Sequence, residues 1–223
     1  MNAESNAHVD PPNGRDALVV VAHPDDEILW CGGLILGHPE WSWHIVTLCR
    51  RSDDDRAPKF RRVLELVGAR GAMADLDDGP DQRPLDTDEV QRALEPMLPA
   101  RQVDLVLTHG PRGEYTRHRR HEEVCRATAA LWRRGVIQTR ELRMFAFTDD
   151  ERRHLPRAID AAPLQLALDD GVFNKKRALI TATYGFAPDS WEARATPRKE
   201  AFWTFDQAEV AVAWVRQHQE DIA

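Results

Sequence analysis

Short apolar runs separated by stretches of helical spacing place the tightest limit on how this chain can fold. Ala17-Leu-Val-Val-Val-Ala22 is continuous, apolar and rich in β-branched residues. Its length suits a strand buried on both faces, as in a parallel sheet. His44-Ile-Val-Thr-Leu-Cys49, Val103-Asp-Leu-Val-Leu-Thr108 and Leu142-Arg-Met-Phe-Ala-Phe147 repeat the signal, and Ala72-Met-Ala-Asp-Leu76 repeats it weakly. Helical spacing fills the gaps. Ile28, Leu29, Leu34, Ile35 and Leu36 predict a helix over about 27–37, weakened by Gly32-Gly33. Phe60, Val63, Leu64 and Val67 predict another over about 57–68. Asp86 and Glu89 form a capping-box pair for a third, running to about Leu98. A fourth runs from His118 or Arg119 to Arg134, with Gly135 ending it.

This alternation predicts an α/β, Rossmann-like three-layer fold with a mainly parallel sheet. Right-handed crossovers and the commonest winding give a strand order starting 3-2-1-4-5. Strands 1 and 4 are then neighbours where the winding reverses. The loops that follow them face each other across the crevice where such sheets bind ligands. Past residue 150 the pattern is less regular. Phe173 to Thr183 reads as helix, Gly185 to Pro197 as loop, and Asp206 with Glu209 opens a last helix carrying Val210, Val212, Trp214 and Val215.

Composition narrows the class. The 223 residues suit one domain over 16–223 behind a polar, flexible arm over 1–15. Lys and Arg total 30 against 37 Asp and Glu, a net charge of -7, which argues against a general nucleic-acid binder. No apolar run reaches membrane-span length, and the first residues lack a signal peptide's apolar middle. Cys31, Cys49 and Cys125 form no C-x-x-C pair, which suits packed thiols in the cytoplasm. Whether the chain forms a homo-oligomer is not inferable from these features.

The two facing loops carry unusual chemistry. Ala22-His23-Pro24-Asp25-Asp26-Glu27 places three carboxylates and an imidazole directly after the first strand. Grouped carboxylates repel one another, and a divalent cation would compensate. On the second loop, His118 and His121 lie three apart at a helix start and can share one face. Two imidazoles and a carboxylate make a common open zinc site, which brings the pKa of a bound water from 15.7 to about 7. A carboxylate that does not bind the metal can take the proton, and an imidazole can stabilise the oxyanion or protonate the leaving group. Metal-assisted hydrolysis follows, while spacing leaves open which residues bind the ion.

Ala22-His-Pro-Asp-Asp-Glu27 after a strand, joined to His118-x-x-His121, resembles the LmbE/PIG-L family of zinc-dependent N-deacetylases. The order of elements is similar over about 17–150. The resemblance implies that His23, Asp26 and His121 hold the metal, that Asp25 is the general base, and that His118 stabilises the tetrahedral intermediate or acts as acid. It further implies that Arg50 contacts substrate, that Asp78 binds a sugar hydroxyl, and that Tyr115 lies near the oxyanion. The implied substrate is an N-acetylated amino sugar or a conjugate of one. Thr116-Arg-His-Arg-Arg-His121 departs from the family's common Gly-His-Pro-Asp-His form, which bears on substrate rather than metal. Zn2+ is the implied ion, and the same donors suit Fe2+.

Blander roles compete for several residues. Glu27 suits a helix cap or loop holder better than a ligand. His109 either hydrogen-bonds near the site or simply ends a strand. Arg112, Arg117, Arg119, Arg120 and Arg126 could bind an anion, yet helix spacing turns Arg119, Arg120 and Arg126 toward a solvated face. The seven tryptophans read mostly as core, and Trp191, in a loop-like segment, could instead be a stacking platform. Cys31 is wrongly spaced for the ligand set and reads as packed. Two other functions stand beside the deacetylase: an amidase or esterase on another acylated small molecule, and a non-catalytic metal-containing sugar-binding protein. A dinucleotide site is disfavoured, because the first loop lacks G-x-G-x-x-G and would repel pyrophosphate.

Overall fold

Strand β1 (Asp16–Val21) buries five of its six residues, as a strand between two helix layers must. The structure is a computed structural model and describes residues 14–220. The chain continues through α1 (Asp26–Gly37), β2 (Ser42–Thr47), α2 (Arg56–Val67), β3 (Arg70–Met73), α3 (Thr87–Leu94), β4 (Leu105–Thr108), α4 (Arg119–Arg133) and β5 (Leu142–Phe145). Two-residue strands β6 (Phe147–Thr148) and β7 (Arg157–Ala158) pair with each other. Then come β8 (Leu164–Ala167), α5 (Asp170–Ala178), α6 (Trp191–Ala195), β9 (Lys199–Phe205) and α7 (Ala208–Glu220).

The main sheet runs β3-β2-β1-β4-β5-β9-β8. Its first five strands are parallel, in the expected order. β9 and β8 extend it antiparallel, and nothing in the hydropathy pattern announces them. β8 alternates half-buried with exposed residues, and β9 opens on Lys199-Glu200. Alternate residues of β1 feed opposite layers: Val19 and Val21 join Trp30 and Phe60, while Leu18 and Val20 join Leu131 and Met144. α2 ends at Gly68, whose φ of 69° closes the helix.

Several boundaries differ from expectation. The third strand sits at Arg70–Met73, and the fifth stops at Phe145, with Phe147 in the small second sheet. The stretch expected as loop over 185–197 contains α6, where Ser190 Oγ accepts the Ala193 N–H at 3.2 Å. Asp86 caps α3, but Glu89 does not complete the box, because Arg83 draws its carboxylate away at 3.0 Å. The expected arm over 1–15 lies outside the described residues except at its end, where Arg15 pairs with Glu141 at 3.0 Å. Among the described residues no helix is long and apolar enough to cross a membrane.

Helix α1 is kinked at Cys31 (φ -138°). The N–H groups of Gly33 and Leu34 turn to the Glu200 carboxylate at 2.6 and 2.9 Å. Lys176 Nζ matches that buried charge at 2.6 Å, and both side chains are fully buried. A Cβ at Gly33 would stand 2.3 Å from a Leu168 methyl and 2.9 Å from Glu200 Oε1, so those side chains would have to shift to admit one. The weak glycine pair of the sequence is therefore a deliberate break, capped by a carboxylate from β9.

Candidate active site

The first loop leaves β1 at Ala22 and enters α1 at Asp26. Asp25 adopts φ 118°, a strained conformation for a residue with a Cβ. Its N–H donates to Glu27 Oε2 at 3.0 Å, and its carbonyl accepts the N–H groups of Ile28 and Leu29 at 3.0 and 2.8 Å. The Tyr184 hydroxyl donates to Glu27 Oε1 at 2.5 Å. Glu27 thus holds the loop and spends both oxygens doing so. Tyr184, at the end of a π-helical turn over Leu179–Thr183, has no signal in the sequence.

The second loop leaves β4 at Thr108. His109 Nε2 accepts the Ala22 N–H at 2.9 Å, which ties the two loops together across the switch point. Glu114, fully buried, organises the rest. Its Oε2 accepts from His109 Nδ1 at 2.8 Å and His121 Nδ1 at 2.5 Å, and its Oε1 accepts the Gly110 N–H at 2.9 Å. Burial would raise Glu114, but the two imidazoles hold it down at about 2. Sequence reasoning misses Glu114 as a site residue, although a carboxylate between two histidines on this loop is a signal that could have found it.

The loops converge on one point. Asp26 Oδ2 lies 3.1 Å from His23 Nδ1 and 3.4 Å from His121 Nε2. His23, His118 and His121 each present a ligating atom within 4.8 Å of the others. His121 Nε2 and His118 Nδ1 are buried without a hydrogen-bond partner among the described residues. Such orphans cost about 1–3 kcal/mol each and call for an occupant. A cation among the expected donors His23, Asp26 and His121 would supply one, and the chemistry of two imidazoles and a carboxylate fits Zn2+ or Fe2+. Besides His23, His118 and His121, two groups of three meet the same 4.8 Å limit, His23 with Cys49 and Asp78 and Asp26 with His109 and His121, but His109 already spends its Nε2 on Ala22. The other nitrogen of each of these two imidazoles meets a carboxylate: Asp78 Oδ1 at 3.1 Å for His23, and Glu114 for His121. This is the outer-shell pairing that orients metal ligands.

Charge is strongly perturbed around this point. Burial, then the adjacent Asp26, pushes Asp25 well above the carboxylate range, against Arg56 at 3.0 Å. Burial opposes the charge on Asp26, but His121 and His109 outweigh it and lower that carboxyl. Burial would lower His23, yet Asp26 and Asp78 raise it to about 10. Burial, with His121 and His23 alongside, drives His118 down to about 2.

The residues expected to touch substrate gather here as well. Arg50, Asp78, Tyr115 and His118 line one cavity of about 230 Å³ with Asp25 and Trp191. Arg50 Nη2 and Nε bind Asp78 Oδ2 at 2.5 and 2.9 Å. Tyr115 packs on His118 at 5.5 Å and on Trp191 at 4.5 Å between ring centroids. Trp191 is 36% exposed, as a platform requires. One expectation fails: Arg120 is not on a solvated face. It is fully buried, donating to Glu123 at 2.6 Å and to the Asp77 carbonyl at 2.6 Å, because the segment before α3 folds over α4. Arg126 meets Gln219 of α7 at 3.1 Å, Arg117 forks onto Glu122, and Arg119 is exposed.

The family model of GlcNAc-PI de-N-acetylase, PIG-L, matches residues 18–132, from β1 to the end of α4. The chain belongs to the PIG-L family. A 1D-myo-inositol 2-acetamido-2-deoxy-alpha-D-glucopyranoside deacetylase of Corynebacterium diphtheriae is 27% identical over 234 residues, covering 82% of this chain and 79% of that protein. A conserved protein of Thermus thermophilus superposes with a TM-score of 0.57 at 18% identity, over 85% of this chain and 94% of that one. The zinc-inhibited form of teicoplanin deacetylase superposes at 0.55 and 12% identity, over 86% of this chain and 98% of that one. At those identities the likeness is one of fold, and it spans 85–86% of this chain.

Proposed function

We propose that this chain is a metal-dependent N-deacetylase that hydrolyses the C–N amide of an N-acetylated amino sugar or its conjugate. The observation that carries this is the buried His121 Nε2, which has no hydrogen-bond partner among the described residues and faces the Asp26 carboxylate beside His23. Family membership and the deacetylase activities by which the Corynebacterium and teicoplanin proteins are named support the same reaction. His23, Asp26 and His121 would hold the ion, Zn2+ or Fe2+. Such an ion supplies Lewis acidity, making water acidic near neutral pH and polarising an acyl oxygen. Three buried free thiols suit a reducing compartment, the cytoplasm.

The chain's own groups do the rest. Asp25 lines the cavity with Oδ2 fixed by Arg56, which leaves Oδ1 to take a proton from the attacking water. As the water oxygen bonds to the acyl carbon, the His118 imidazole donates to the developing oxyanion. The C–N bond then breaks, Asp25 returns its proton to the departing nitrogen, and acetate and a free amine leave. Tyr115 and Trp191 offer aromatic faces to the sugar ring.

Acetate release from a panel of N-acetylated amino sugars and simple acyl amides tests this, with metal content measured alongside. Asp25→Asn should keep its metal and lose about 10²–10⁴-fold in turnover, the usual worth of a general base. His121→Ala should lose the metal. Near-full activity in the first variant, or full metal content in the second, refutes the assignment.

A further inference from the structure

The carboxyl edge of the sheet gathers a second group of donors beside His23. β2 closes at Thr47, and the Cys49 N–H donates to the Ala22 carbonyl at 3.0 Å, which sets Cys49 next to the residue before His23. Arg50, at φ 76°, then turns the chain away. The segment after β3 joins the same edge, where the Leu76 N–H donates to the Leu48 carbonyl at 3.2 Å and Asp78 follows two residues on. His23, Cys49 and Asp78 thus each present a ligating atom within 4.8 Å of the other two. The thiol is the odd member. Cys31 Sγ donates to the Glu27 carbonyl at 3.2 Å and Cys125 Sγ to Met144 Sδ at 3.8 Å, whereas the fully buried Cys49 Sγ has no hydrogen-bond partner among the described residues. Arg50 occupies Asp78 Oδ2 at 2.5 and 2.9 Å, which leaves Oδ1 to His23 Nε2 at 3.1 Å and Gln82 Nε2 at 3.5 Å. His23 is balanced between two carboxylates, since its Nδ1 stands the same 3.1 Å from Asp26 Oδ2. A neutral imidazole has one N–H and one lone pair. With the proton on Nε2 the lone pair serves the Asp26 and His121 side, and with the proton on Nδ1 it serves Asp78 and Cys49. Either tautomer finds a carboxylate for its N–H.

We infer that His23 Nε2, Cys49 Sγ and Asp78 Oδ1 form a second cation site, for a thiophilic dication of the Zn2+ and Cd2+ kind, which competes with the first site for His23. Thiolate, imidazole and carboxylate are donors that such an ion prefers, and the thiolate and carboxylate together cancel its two charges. The thiol proton leaves to solvent as the ion binds. His23 and Asp78 line the catalytic cavity, so the ion enters from there. Filling this site takes an imidazole from the first, so the two ions are alternatives rather than a pair. The competition rests on the first-site assignment made above, whereas the thiolate site stands on its own donors.

The test titrates Cd2+ into the full-length zinc-loaded protein and follows the ultraviolet charge-transfer band of a cadmium thiolate, which a site without sulfur does not give. The wild type should show the band. Cys49→Ser should lose it, with cadmium affinity at that step down by at least the roughly 10–100-fold that even an outer-shell partner is worth. With zinc held at about ten times its first-site Kd, the wild type should need about tenfold more cadmium than His121→Ala, whose His23 is released from the first ion. No band in the wild type, or an equal band in Cys49→Ser, overturns the site. Identical cadmium titrations of the wild type and His121→Ala overturn the competition. Should Cys49→Ser fail to fold, anomalous scattering from cadmium in wild-type crystals decides without a variant. A peak bonded to Cys49 Sγ supports the site, and peaks confined to Asp26 and His121 overturn it. Neither the band nor the peak depends on turnover, so both still decide the site if the deacetylase reading fails.

Discussion

Glu114 offers the sharpest test of how the site is built. Its carboxylate accepts three hydrogen bonds in a fully buried position, from His109, His121 and the Gly110 backbone. Glu114→Gln keeps the volume but turns an N–H group toward at least one of those donors. An unmet buried donor costs about 1–3 kcal/mol, so the folded state should weaken by that order. The functional effect is separate. His121 Nδ1–H would lose the anion that orients the ring and makes its Nε2 a better donor. Loss of such a partner weakens metal affinity by about 10–100-fold, or roughly 1.4–2.7 kcal/mol. Zinc affinity by chelator competition reads this, with thermal unfolding of the metal-free protein recorded beside it. Glu123→Gln is the control. Glu123 is also buried and accepts the Leu85 N–H at 2.8 Å and Arg120 Nη1 at 2.6 Å, but it touches no imidazole. It should lower stability and leave zinc affinity alone. Unchanged zinc affinity in Glu114→Gln, or an equal loss in Glu123→Gln, refutes the orienting role.

Other consequences are as specific. Lys176→Met strands the Glu200 carboxylate in the core and should cost about 3–5 kcal/mol, read as a fall in the urea midpoint; a near-neutral result would mean the pair is not buried in solution. Tyr184→Phe removes the hydroxyl from Glu27 and should cost about 1–3 kcal/mol while loosening Asp25; kcat should fall with KM held, and an unchanged kcat would free Asp25 from this support. Burial would raise Glu141, but Arg143 at 2.6 Å and Arg15 at 3.0 Å hold its folded pKa below 4.5. Its stabilising share is therefore present above about pH 4.5 and drains as pH falls through the lowered value. Glu141→Gln should flatten that acid limb of the stability curve, and an identical slope in both proteins would remove the group from the acid response.

What the sequence reveals about this fold depends on how local each signal is. The Ala17–Ala22 run announces β1 because a strand buried on both faces is apolar throughout, and the acidic loop follows it directly. His118 and His121 are equally local, three apart at a helix start. Each half of the donor set is thus legible, and the switch-point rule brings the halves together. The supports are not local. Tyr184 reaches Glu27 across 157 positions, and Glu200 reaches Gly33 across 167. Hydropathy reports which face of a strand is buried but not which neighbour it meets, so β8 and β9, with their exposed and charged positions, leave no trace.

Arg120 shows the same limit from the other side. Helix geometry places it away from the histidines, and solvent is the natural partner for a guanidinium there. Its real partners are Glu123, one turn on, and the carbonyl of Asp77, 43 positions back. A buried arginine is tolerable only with such partners, because one charge without the other would cost several kcal/mol. The neighbouring residue Asp78 meets both His23 and Arg50. The segment that covers Arg120 is therefore the one that orients His23. Arg120→Met should release Asp77 and Asp78 together, and zinc affinity should fall although Arg120 touches no ligand. If affinity holds while stability drops, Asp78 is positioned by Arg50 alone.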